Sequence, residues 1–217
     1  MVVLCPLMVE RRAAARAVGS RAEVRCTGPG EAAIARAVRS LNPAETALVV
    51  LFGVSGGLRQ MGEAPAISGV IDARTGERWS PTLVAPGPGA VVAGVDEPAL
   101  TPSAKRAIAE RTGASLVDCE SHAFARVCAS APIAWAVVRG VSDGPDEALP
   151  AQAAHWVDDR GCARVGRVIR DCVRRPALIP AVARLGRRSS RALRAASGRL
   201  TALVDHAGAT IGVDAAR

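Results

Sequence analysis

A series of apolar runs sets the strongest limit on how this chain can fold. Val2 to Cys5, Ala47 to Phe52, Ile67 to Asp72, Ala90 to Val95 and Ile133 to Val141 read as strands, with shorter candidates at Glu23 to Cys26 and Ser115 to Asp118. Between them lie stretches with helical spacing: Met8 to Val18, Glu31 to Ser40, Ser103 to Arg111 opened by a serine cap, and Glu120 to Ala131. Apolar strands alternating with helices predict an α/β fold whose mainly parallel sheet is covered on both faces. After Pro150 the pattern turns helical, at Ala151 to Val157, Ala163 to Val173 and from Pro176 to about Val204, with a tail expected to fray after Asp205.

A chain of 217 residues, 49% of them apolar, can bury one sizeable core. No run of 18 uncharged apolar residues occurs, and Met-Val-Val-Leu-Cys-Pro lacks a basic leader, so a cytoplasmic protein is expected. Six scattered cysteines without a Cys-x-x-Cys pair predict reduced thiols and no metal site. Charge is concentrated: residues 160–200 hold twelve arginines and one acid, Asp171, a balance of +11 that leaves −3 for the rest. In the helix from Pro176, Leu178, Val182, Leu185, Leu193 and Leu200 follow one stripe, with Arg184, Arg187, Arg188, Arg191 and Arg194 on the other faces. Such a helix packs on a core or docks through residues 176–200 on an anionic membrane, at the inner face if the protein is cytoplasmic. Two phenylalanines, three tryptophans and no tyrosine leave few stacking groups for nucleic acid, which is not expected as a partner.

Candidate chemistry gathers at predicted strand ends. Gly53-Val-Ser-Gly-Gly follows a buried strand, where missing side chains let a ligand approach the backbone or simply allow tight packing. Glu120 and Asp143 follow two other strands, at the sheet edge where ligands bind in open α/β folds. Either acid can instead cap a helix or end a solvated loop.

Taken in order, Pro6-Leu-Met-Val-Glu10, Gly53-Val-Ser-Gly-Gly57, Val117-Asp-Cys-Glu120 and Arg139-Gly-Val-Ser-Asp143 resemble the nucleoside phosphorylase and hydrolase superfamily, including the methylthioadenosine nucleosidases. The match covers residues 1 to about 148. Pro176 to Ala195 is similar to a helix of the hopanoid-associated phosphorylase branch. The resemblance implies a three-layer α/β/α fold with a central, mainly parallel mixed sheet plus a C-terminal basic helix, divided into a core domain of residues 1–158 and an extension of 159–217.

It also implies cleavage of the N-glycosidic bond of an adenine nucleoside, in the hopanoid branch adenosylhopane, giving adenine and a ribosyl or phosphoribosyl hopane. By family correspondence Asp143 protonates N7 of adenine, Glu120 binds the ribose hydroxyls, and Glu10 orients water. A free carboxyl kept protonated at pH 7 costs about 4 kcal/mol, so burial or a relay through Ser142 must help. Cys119 stands beside the ribose in place of the family's methionine. Were inorganic phosphate the co-substrate, Arg139, Ser55 and the Gly56 amide are the motif-linked partners; no other cofactor is implied. Family members form homo-oligomers. The segment Ile71 to Val95 is shorter than usual, so a catalytically silent nucleoside-binding or membrane-associated scaffold stands as the rival reading.

Overall fold

The computed structural model describes residues 1–214, with side chains described through Gly208. Eight strands and six α-helices follow in chain order: β1 Val2–Cys5, α1 Met8–Val18, β2 Glu23–Cys26, α2 Glu31–Arg39, β3 Leu48–Gly57, β4 Ala66–Asp72, β5 Arg78–Trp79, β6 Gly89–Gly94, α3 Pro102–Thr112, β7 Leu116–Asp118, α4 Ser121–Ala129, β8 Ala134–Asp143, α5 Val165–Arg174 and α6 Ile179–Asp214. The strands form one sheet in the order β2-β1-β3-β7-β6-β4-β5, with β8 paired to β3. Five pairings are parallel and two, β3 with β7 and β4 with β5, are antiparallel. The expected three-layer mixed sheet is therefore present.

Two apolar clusters fill the layers on either side. One packs Leu4, Val49, Leu51 and Trp135 with α2 and α4, where Phe124 meets the Trp135 ring edge-on at 5.9 Å. The other packs Val3, Val50, Phe52 and Val138 with α1 and with Leu193, Ala196, Leu200 and Leu203 of α6. Gly140 lets α6 lie directly on β8, since a Cβ there would strike the Ala192 backbone.

This packing alters several expectations. A boundary at residue 158 cuts through the second cluster, because Leu193, Ala196, Leu200, Leu203, Val204 and Ala207 belong to it. Leu193 and Leu200 of the supposed docking stripe are buried in it, and the helix continues past Asp205 to Asp214. The apolar side chains left exposed there are Val165, Ile169 and Val173, one row of α5, together with Ile179. Ser103 does not cap α3; the Thr101 hydroxyl accepts from the Ala104 amide, with Pro102 in the first turn. Among the described residues no helix is long and apolar enough to cross a membrane.

Candidate active site

The glycine-rich segment is not a loop. β3 continues through Gly57, with its last residues paired to β7 on one side and, across a bulge after Ser55, to β8 on the other. A Cβ at 53 would strike Glu10 Oε1 and Arg139 Nη1, and one at 56 would crowd Asp143 Oδ2 at 3.2 Å. The small residues thus admit the protein's own charged groups as well as leaving space beyond them.

That space is a cavity of about 270 Å³, near the lower end for ligand sites. Glu10, Glu120 and Asp143 line it from three elements, with Ser55, Gly56, Cys119 and Ser142. Its apolar wall comes from Val95, Pro98, Ala99, Leu100 and Leu149; no aromatic side chain among the described residues takes part. Phe124 is instead wholly buried in the core.

Glu10 sits in the first turn of α1, where Oε2 accepts from the Leu7 amide at 2.8 Å and Oε1 from the Val54 amide at 2.9 Å. Burial outweighs these donors and the Arg139 charge and lifts its carboxyl from 4.5 to about 7. Glu120 Oε1 accepts from the Gly30 amide at 3.0 Å, and Oε2 lies 3.7 Å from Arg139 Nη2. Burial and the neighbouring Asp118 raise its carboxyl against the pull of Arg139. Asp118 is the hub below them: it accepts from the Glu120 and Ser121 amides and the Ser121 hydroxyl, and pairs with Arg139 Nη2 at 2.6 Å.

Arg139 therefore does not meet its expected place as a phosphate partner. It is fully buried beneath the cavity, absent from its lining, and held by Asp118 and Glu120. Burial would ease loss of its proton, but the three acids Asp118, Glu120 and Glu10 more than reverse this. No cation among the described residues lines the cavity, whereas the acids Glu10, Asp118, Glu120 and Asp143 do. Cys119 contributes to the wall, and burial pushes its thiol up, which disfavours the thiolate. The Ser55 hydroxyl is buried with no hydrogen-bond partner, while its carbonyl accepts from Ser142 at 3.1 Å.

Asp143 ends β8. Its Oδ1 lies 2.7 Å from the Ser142 hydroxyl, and its Oδ2 accepts from Lys105 Nζ. Sequence reasoning missed Lys105, a fully buried side chain of α3. The available signal was its rarity: it is the single lysine among 28 cationic residues.

One further cluster lies nearby. His122 is wholly buried, with Nε2 at 3.6 Å from both Glu31 and Asp96, and Gly94 leaves room for its ring. Ligating atoms of the three lie within 4.8 Å of one another, but Glu31 already binds Arg126 and Asp96 lies 3.7 Å from Arg74, so charge compensation accounts for it. All six cysteines are free, Cys162 exposed rather than in the core.

Comparison with known proteins agrees with this architecture. Residues 84–174 match the sequence model of the phosphorylase superfamily. The 5'-methylthioadenosine/S-adenosyl homocysteine nucleosidase of Helicobacter pylori superposes with a TM-score of 0.69 at 14% identity, over 94% of this chain and 97% of that one. The futalosine hydrolase of Helicobacter pylori superposes equally well, at 0.69 and 13% identity over the same shares. The nucleosidase of Neisseria meningitidis gives 0.64 at 14%, again over 94% and 97%. The chain has no match among curated proteins.

Proposed function

From the premise of a phosphorylase-superfamily resemblance over residues 84–174, we propose that this protein cleaves the N-glycosidic bond of an adenine nucleoside by hydrolysis. The observation that carries the reading is the convergence of Glu10, Glu120 and Asp143, from α1, the start of α4 and the end of β8, on one cavity. Breaking C1′–N9 leaves positive charge on the ribose, and carboxylates lining the cavity stabilise that charge more as it grows. Glu120 takes the ribose hydroxyls, Asp143 passes a proton to N7, and Glu10, raised to about 7, orients water and takes its proton. Cys119, Ser55, Gly56 and Ser142 form the sugar and base walls.

Water is favoured over phosphate because a dianion would enter a cavity lined by carboxylates and no cation among the described residues. The Helicobacter neighbours are named nucleosidase and hydrolase, which supports the same choice. The finer substrate is an adenosyl lipid of the hopanoid type. Val165, Ile169, Val173 and Ile179 are exposed, and Arg164, Arg170, Arg174 and Arg175 beside them are exposed too, a composition suited to an anionic bilayer surface. The protein then works in the cytoplasm, peripherally at the membrane and as a homo-oligomer.

Product analysis tests the reaction. Incubated with a 5′-deoxyadenosine substrate, the enzyme should release adenine and free sugar at the same rate with and without phosphate. Phosphate-dependent release would refute hydrolysis, and undiminished release by Asp143→Asn would refute the assigned acid.

A further inference from the structure

Asp143 lines the cavity with Oδ2 accepting from Lys105 and Oδ1 at 2.7 Å from the Ser142 hydroxyl, whose single proton the Ser55 carbonyl also faces. A carboxylate paired with an ammonium has no proton of its own for a purine, so one has to be handed to it. Lys105 is fully buried, and its three donors are all engaged at one strand end: by Asp143, by the Gly144 carbonyl at 2.7 Å and by the Glu147 carbonyl at 2.8 Å. It does not line the cavity, so its effect must pass through Asp143.

The choice of residue is informative. Burying an ammonium costs several kcal/mol before pairing, and this chain uses arginine for 27 of its 28 cations. Arginine pairs with carboxylates at least as well as lysine but does not give up its proton in proteins, whereas a buried lysine can. The one lysine lies on the one acid that has to deliver a proton.

Resting on the nucleosidase reading above, we propose that Lys105 is a positioning residue that supplies the proton leaving with the base. As the C1′–N9 bond breaks, its electron pair goes to the purine; Lys105 gives a proton to Asp143 Oδ2, Asp143 passes it to N7 and returns to the carboxylate, and Lys105 is left as a neutral amine. Water adds to C1′ and gives its proton to the Glu10 carboxylate. Charge on the three side chains is unchanged in sum, and exchange with solvent moves the proton from Glu10 back to Lys105 after release.

The test compares two leaving groups on the full chain. Adenine needs a proton to depart, whereas 4-nitrophenolate leaves as a stable anion. Lys105→Met should lower kcat/KM on 5′-deoxyadenosine about 100-fold, and on a 4-nitrophenyl riboside less than about fivefold. Equal losses on both substrates would mean a structural role and overturn the proposal. Recovery of adenine release by Lys105→Arg, which keeps the charge without a proton to give, would overturn it too.

Should Lys105→Met unfold because Asp143 is left unpaired, the double variant with Asp143→Asn removes that charge. Its rate on the adenine substrate should then equal that of Asp143→Asn alone, and a further drop would reject the shared path. Wild-type enzyme inert toward both substrates would instead refute the nucleosidase reading.

Discussion

Glu10 makes the reaction and the stability of the fold answer to the same proton. Its carboxyl is raised from 4.5 to about 7 chiefly by burial, and at about 1.4 kcal/mol per pH unit this displacement is worth about 3 kcal/mol. A raised carboxyl favours folding in its protonated form, so the contribution is complete below pH 4.5 and is lost as pH rises through 7. Glu120, raised in the same direction, adds to the decline. Asp72 and Glu31, both lowered, act oppositely and only on acidification below about 4. Urea unfolding of the wild type from pH 5 to 8 should therefore show stability falling, and Glu10→Gln should flatten the curve by about 3 kcal/mol. Hydrolysis needs the ionised form, so kcat/KM should climb across the same interval, and Glu10→Gln should abolish that rising limb. Identical pH slopes for wild type and Glu10→Gln in the unfolding experiment would refute the reasoning, whatever the activity.

Leu200, fully buried between α6 and the sheet, should cost about 2–5 kcal/mol when changed to Ala, read as a lower urea midpoint with unchanged slope; a loss below 1 kcal/mol, about the cost of an exposed helix position, would show that α6 is not core. Ile169→Asp with Val173→Asp should abolish cosedimentation with vesicles containing anionic lipid while leaving hydrolysis of a soluble adenine nucleoside intact, and retained cosedimentation would remove α5 as the docking face.

Strand and helix identities were legible because period and apolar runs are local signals: β1 and α1 occur with the expected ends. The two-residue β5 was not, since Arg78-Trp79 gains its state only from pairing with β4. The extension of β3 through its glycines was hidden for a related reason. Gly53 and Gly56 look like a turn in sequence, and only Glu10, Arg139 and Asp143 crowding against them show why side chains are missing from a strand. In α6, composition shows an arginine-rich amphipathic helix but not which cluster its leucines meet. The cavity acids were readable through motif order. For Arg139 the sequence left a phosphate partner and a structural residue as alternatives, since it cannot reveal that Asp118 and Glu120 already pair with this cation.

The contact between Gly140 and Ala192 has a consequence for biogenesis. β8, the strand that carries Asp143, lies under a helix synthesised some fifty residues later. Until that helix has been made, the face of β8 that carries Ala136, Val138 and Gly140 lacks the α6 side chains it packs against. Chains cut short before residue 192 should therefore expose this apolar face and be cleared by proteases rather than accumulate.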